Sequence, residues 1–249
     1  MPRAIALETS GLIGSIALVD GNEVLPEQTY SHGLKHTAGM LPMIDAAIRA
    51  RGWTPGDVEH VYVSAGPGSF TGLRVAITVA KTLAFATGCK IVAVESTRVL
   101  AENASSNTNE VLIVLDAKRG HIFTARYVRQ ASGWYEVEPP HLDTFESALA
   151  RAGRPVELVG EGVAYHVDPT TLASDIFFDA TTQRARACVV ARIGIERSAN
   201  GQFADPETLT PIYLRLAEAE ERRLIASGQM QALPVGSTFT ATFTSSLKK

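Results

Sequence analysis

Cysteine is nearly missing from this chain. Cys89 and Cys188 are the two in 249 residues, and no C-x-x-C pair exists, which excludes a disulfide scaffold and a cysteine-built zinc site. Histidine is sparse as well, at positions 32, 36, 60, 121, 141 and 166. Of these, His32 and His36 alone have ligand spacing, and no nearby carboxylate completes a set, so no metal site is expected. Basic charge is not in excess: the formal net charge is −3, which argues against a nucleic-acid binder acting alone through bulk charge and leaves room for a local basic patch. No run approaches the roughly 18 apolar residues of a membrane span, and Met1-Pro2-Arg3-Ala4 leads straight into an apolar strand. A cytoplasmic protein with no membrane partner is expected. There is no G-x-S-x-G elbow and no nucleophile, base and orienter set.

What is present centres on Ser64-Ala65-Gly66-Pro67-Gly68-Ser69-Phe70-Thr71-Gly72-Leu73-Arg74. Val61-Tyr62-Val63 before it reads as a buried strand, and Leu73 to Ala86 after it as a helix closed by Gly88. A strand, glycine turn and helix can hold an anion at the helix start, or can serve close packing alone. A P-loop is excluded, because no glycine pair has the spacing and no lysine follows. The dinucleotide fingerprint G-x-G-x-x-G is approached by Gly66, Gly68 and Gly72, one residue out of register. The next strand, Ile91 to Val94, ends in Glu95, where a ribose-binding acid could sit.

The whole phrase G-P-G-S-F-T-G-L-R, followed by A-K-T-L-A, resembles the signature of the TsaB (YeaZ) family. The resemblance covers most of residues 4 to 215. It implies an α/β protein with the two-lobed fold of sugar kinases, actin and Hsp70, each lobe a mixed sheet with helices. It further implies a non-catalytic partner of the transferase TsaD in forming threonylcarbamoyladenosine beside the anticodon of tRNA. TsaE would be a further partner, a homodimer would form when the chain is alone, and tRNA would be met only through the complex. The chain would carry no cofactor of its own, ATP and metal being used by the partner proteins. In the catalytic relatives the strand after the glycine turn runs into N-H-x-x-x-H, whose histidines bind metal. Here those places hold Ser96 and Leu100. Glu8 stands where family members usually carry Asp, and Lys118 and His121 depart from the family's D-A-R-[RK]-G-E-V-Y. Two other readings stay open: a nucleotide-dependent oxidoreductase or kinase using the Gly66 to Gly72 turn, and a self-associating homodimer without an enzyme partner.

Along the chain, Ala4 to Thr9, Ser15 to Val19 and Val24 to Tyr30 read as strands, with a turn at Asp20-Gly21-Asn22. His36 to Arg51 reads as a helix despite Pro42. At 100° per residue, Leu41, Ile44 and Ile48 group as its core face. His36, Met40, Met43 and Ala47 fall on an adjacent arc, read as an adaptable partner surface. On the next helix Arg74, Thr78, Lys81 and Phe85 share one side and extend that surface, while the rest is apolar nearly all round. Ser105 to Asn109 is a polar break. It divides a first lobe, residues 1–105, from a second, residues 106–215, whose last helix is expected to pack back on the first. Val111 to Leu115 is a strand ending in Asp116, expected to cap the turn or pair with Arg119. Hairpin strands at His121 to Val128 and Trp134 to Val137, a helix from Asp143 to Ala152, a strand from Pro155 to Val159 and a helix from Gln183 to Ser198 complete the pattern. Residues 216–249 read as an extension with a mobile end.

Overall fold

The computed structural model describes residues 2–31 and 36–216, with Arg223 and Ser227 beyond them. The expected mobile end and His32 lie outside the described residues.

Strands β1 (Arg3–Glu8) and β2 (Ile13–Asp20) form an antiparallel pair, buried along almost their whole length. Instead of one strand over Val24 to Tyr30 there are two pieces, β3 (Glu23–Val24) and β4 (Gln28–Ser31), both paired to β2. Pro26 lies between them, and a residue without an N–H cannot continue a ladder. Helix α1 (His36–Ala50) follows, carrying Pro42 inside it. Then β5 (His60–Gly66) pairs parallel to β1, α2 (Phe70–Thr87) crosses back, and β6 (Lys90–Glu95) pairs parallel to β5. The first sheet therefore runs β3-β2-β1-β5-β6, with β4 beside β2.

A short helix, α3 (Ser96–Ala101), leads to the second sheet. Its strands are β7 (Glu110–Asp116), β8 (Ile122–Gln130) and β9 (Gly133–Asp143), joined as antiparallel neighbours. Helix α4 (Phe145–Arg151) starts at Thr144, whose hydroxyl accepts the Ser147 N–H at 3.2 Å. Strand β10 (Val156–Val159) returns parallel to β7, helix α5 (Val163–His166) caps its end, and β11 (Ile176–Phe177) completes the order β11-β10-β7-β8-β9. Helix α6 (Ala187–Ala199) returns to the first sheet and packs on β1, β2 and β6. It begins four residues after Gln183, whose side-chain amide donates to the Asp179 carbonyl while the next residue's carbonyl accepts from Asn103.

Both lobes are thus mixed sheets with helices, and one core joins them. Ala4, Tyr62 and Val92 of the first sheet pack with Val111, Ile113 and Val159 of the second through Val189, Val190 and Ile193 of α6. On the other face of the first sheet, α1 and α2 cover Ile5, Leu7, Val61 and Val63. Helix α2 has the length and hydropathy of a membrane span, alone among the described residues. Its Leu73, Ala76, Ile77 and Ala80 are buried in the core instead.

The phase of α1 differs from the sequence expectation. Met40 and Ala47, read there as partner surface, are buried with Ile44 and Ile48, while Leu41, read as core, is 53% exposed. Both sets satisfy the helical period. What decides is that α1 must cover β2 and touch α2 at once. Met40, Ile44, Ala47 and Ile48 at i, i+4, i+7 and i+8 form the wider stripe that does so. Met43 is half-buried and packs at the edge of this core. His36 opens α1, and its side chain lies outside the described residues.

Candidate functional site

The glycine-rich turn is filled by the chain itself. Gly68 has φ +154°, and a Cβ there would collide with the Ser10 carbonyl oxygen; a Cβ on Gly72 would strike the Thr9 carbonyl oxygen. Two hydrogen bonds fasten the same approach. The Ser69 N–H donates to the Ser10 carbonyl at 2.7 Å, and the Thr9 hydroxyl donates to the Gly72 carbonyl at 2.9 Å. The glycines of Gly66-Pro67-Gly68-Ser69-Phe70-Thr71-Gly72 therefore let the turn close on the end of β1. Ser69 caps α2, its hydroxyl accepting the Gly72 N–H at 3.3 Å, so the helix begins at Phe70 rather than Leu73. Gly88 closes it in the left-handed conformation, φ +76°.

The acid that a dinucleotide would need is also engaged. Glu95 Oε2 accepts from Arg197 Nη2 at 2.6 Å, and the same guanidinium donates to the Ala93 carbonyl at 2.7 Å. This pair fastens α6 to the end of β6. Ser96 and Leu100 are buried, Ser96 sharing a 2.8 Å hydrogen bond with Ser64. Among the described residues no three His, Cys, Asp or Glu side chains gather as a metal-ligand group.

Two carboxyls face the turn joining β1 and β2. Glu8 is fully buried and accepts hydrogen bonds from the Ser10 N–H and hydroxyl. Burial pushes its carboxyl above the ordinary 4.5, the Ser10 bonds oppose that, and the nearby Glu161 charge adds to it. Glu161, from the loop after β10, accepts the Leu12 N–H at 2.8 Å, so the second lobe grips the turn of the first. Burial raises the Glu161 carboxyl as well.

Asp116 at the end of β7 caps the turn that follows it, one of the two roles expected of it. It takes the Lys118 ammonium and backbone N–H, and His166 Nε2 at 3.1 Å. Burial alone would raise this carboxyl, but the bonds from Lys118 and His166 hold it below the usual range. Lys118 and Arg119 sit at φ +65° and +56°, which turns the chain back so that an i to i+2 contact forms.

An exposed apolar surface lies between α1 and α2. Leu41, Val75, Val79 and Leu83 floor a shallow groove with little polar lining, and Arg74, Thr78 and Thr82 rim it. Phe85, one turn further along α2, is 96% exposed. Of the residues read as partner surface, Arg74, Thr78 and Phe85 thus lie on the outer side of α2 beside this groove. Lys81 turns to the other flank, where its ammonium donates to the carbonyls of Glu207 and Leu209 at 3.4 and 3.2 Å. Leu41 and Val75 were missed by sequence reasoning; the alternation of buried and exposed apolar residues between adjacent helices carries no local signal.

Residues 22–205 match the family model described as TsaD: tRNA N6-adenosine threonylcarbamoyltransferase. The tRNA threonylcarbamoyladenosine biosynthesis protein TsaB of Bacillus subtilis (strain 168) is 30% identical over 224 residues, covering 88% of this chain and 96% of that one. The protein of the same name from Escherichia coli (strain K12) is 25% identical over 86% of this chain and 94% of its own length. Among solved structures, YeaZ from Pseudomonas aeruginosa superposes with a TM-score of 0.71 at 24% identity, covering 86% of this chain and all of that one. That likeness is one of fold.

Proposed function

This chain belongs to the TsaB family of tRNA threonylcarbamoyladenosine biosynthesis proteins, and from that premise we propose that it is the non-catalytic, activating subunit of a TsaD-type transferase. The observation that carries the reading is the apolar groove on α1 and α2, with Leu41 and Phe85 exposed beside it. Two neighbouring helices with uncovered apolar area are suited to a helical seam with a matching pair. A partner of the same fold presents such a pair, and so does a second copy of this chain, which gives a homodimer when the partner is absent. TsaE joins as a further partner, the ATP and metal of the reaction are held by the partner proteins, and tRNA is bound by the assembled complex in the cytoplasm.

The oxidoreductase or kinase reading has less support. Its glycine turn is packed against Thr9 and Ser10, and its acid is spent on Arg197. The test is reconstitution with the TsaD-type protein of the same organism. Threonylcarbamoyladenosine in tRNA should form with both proteins and not with this chain alone. Formation by the partner at equal rate without this chain would refute an activating role.

A further inference from the structure

A strap of chain with no helix or strand, residues 204–215, returns over the first lobe after α6 and crosses the glycine turn. The Ala204 N–H donates to the Ile91 carbonyl at 2.8 Å, the carbonyls of Glu207 and Leu209 hold the Lys81 ammonium, and the Ile212 N–H donates to the Ala65 carbonyl at 2.7 Å. A Cβ on Gly66, at φ +109°, would lie 2.9 Å from the Ile212 carbonyl oxygen, so this glycine admits the strap as Gly68 and Gly72 admit the end of β1. The next residue, Tyr213, stacks on Phe70 in the first turn of α2, with ring centroids 4.6 Å apart and planes 24° apart. One turn further along α2, the Arg74 guanidinium lies 5.2 Å from the centroid of the same Phe70 ring. Arg74 is exposed at the rim of the apolar groove, and among the described residues no carboxylate pairs with it.

We infer that Tyr213 is a positioning residue for the partner surface: through Phe70 it holds the Arg74 guanidinium at the groove, where Arg74 takes a carboxylate of the docking helix pair. The inference rests on the proposed role as a subunit of a TsaD-type transferase. A guanidinium laid against a ring keeps its N–H edge free, in the plane where a carboxylate is met bidentately. Once partner helices cover the groove, Arg74 loses water on one side, and a cation at the margin of an apolar seam requires a counter-ion. Among the described residues lining the groove, Arg74 alone carries a charge, so it sets which charge the partner must bring. The aromatic hold orders this long side chain before docking, which lowers the rotamer entropy lost on association. Tyr213 does not line the groove and acts through Phe70 and Arg74.

The test is isothermal titration calorimetry with the TsaD-type protein of the same organism, at low and high salt, on the parent chain, Arg74→Gln, Tyr213→Phe, Tyr213→Ala and Arg74→Gln combined with Tyr213→Ala. Arg74→Gln should weaken association about tenfold at low salt and less at high salt. Tyr213→Phe keeps the ring and should bind as the parent does, whereas Tyr213→Ala should weaken association about three- to tenfold. In the Arg74→Gln background Tyr213→Ala should add no further loss, because its effect passes through that guanidinium. Losses that add would show a merely structural role for Tyr213 and overturn the inference. Unchanged affinity of Arg74→Gln overturns it whatever Tyr213→Ala does to folding, since Arg74 is exposed on the monomer. A parent chain that does not bind the transferase refutes the proposed function instead. The order parameter of the Arg74 Nε–H, measured by nuclear magnetic resonance on the chain alone, then decides the positioning role. It should fall in Tyr213→Ala and hold in Tyr213→Phe, and equal values in all three proteins would overturn that role.

Discussion

Met40 and Leu41 are adjacent in the chain and opposed in the fold: Met40 is fully buried against the first sheet, and Leu41 is 53% exposed at the edge of the groove with α2. One helical step of 100° separates core from surface. The two positions therefore respond differently to the same truncation. Met40→Ala leaves a cavity among Ile44, Ala47 and the sheet and should cost about 2–5 kcal/mol in chemical denaturation. Leu41→Ala should change monomer stability by no more than about 0.5 kcal/mol. Equal losses at the two positions would mean that the phase of α1 is wrong.

Gly72→Ala and Gly88→Ala separate close packing from conformation. At Gly72 the new methyl meets the Thr9 carbonyl oxygen, a backbone atom that cannot swing aside. Forced overpacking of this kind should cost about 1–3 kcal/mol or more. At Gly88 the space is open and only the left-handed φ of +76° is penalised, which costs about 1–2 kcal/mol. Thermal unfolding should place both variants below the parent, with Gly72→Ala at least as destabilised as Gly88→Ala. Cosolvent nucleotide should rescue neither, because the turn is occupied by the chain.

Glu8 makes stability fall as pH rises. Its carboxyl is buried and its folded pKa lies above the ordinary 4.5. The folded chain therefore keeps the proton after the unfolded chain has lost it. Stability is full below pH 4.5, declines as pH climbs from there through the raised folded value, and levels off above it. Glu8→Gln keeps an acceptor for the Ser10 N–H and cannot ionise. Its melting temperature relative to the parent should be similar at pH 4 and should gain steadily toward pH 8. A difference that is constant over that range would show that Glu8 titrates alike in both states.

Much of the fold could be read from residue pattern, because apolar runs and turn chemistry act locally. Val61 to Val63, Ile91 to Val94 and Val111 to Leu115 lie inside observed strands, and Gly88 is the left-handed cap of α2. The exceptions are decided by contacts between distant segments. The facing of α1 depends on where α2 lies, and a period alone admits Leu41 or Met40 as core. The use of the glycine turn depends on Thr9 and Ser10, some sixty residues earlier, so spacing could not separate a ligand cradle from close packing. Asp116 caps its turn, as one of the two expectations had it, but its ion pairs with Lys118 and His166 were not foreseen, because two successive non-glycine residues with positive φ are not legible in Lys118-Arg119. Lys81 reads as an outer-face cation until the returning segment brings the carbonyls of Glu207 and Leu209 to it.

The central claim is that the α1 and α2 groove joins this chain to a TsaD-type partner. Leu41→Glu with Phe85→Glu places two charges on side chains already exposed in the monomer, so circular dichroism and melting temperature should stay within the parent's range. Buried without counter-ions in a helical seam, such charges typically cost several kcal/mol, enough to abolish a micromolar complex. The decisive measurement is analytical ultracentrifugation of this double variant mixed with the transferase of the same organism. The account predicts a folded monomer sedimenting apart from the partner, beside a parent protein that sediments with it. A folded variant that still co-sediments with the transferase would place the interface elsewhere and contradict the account.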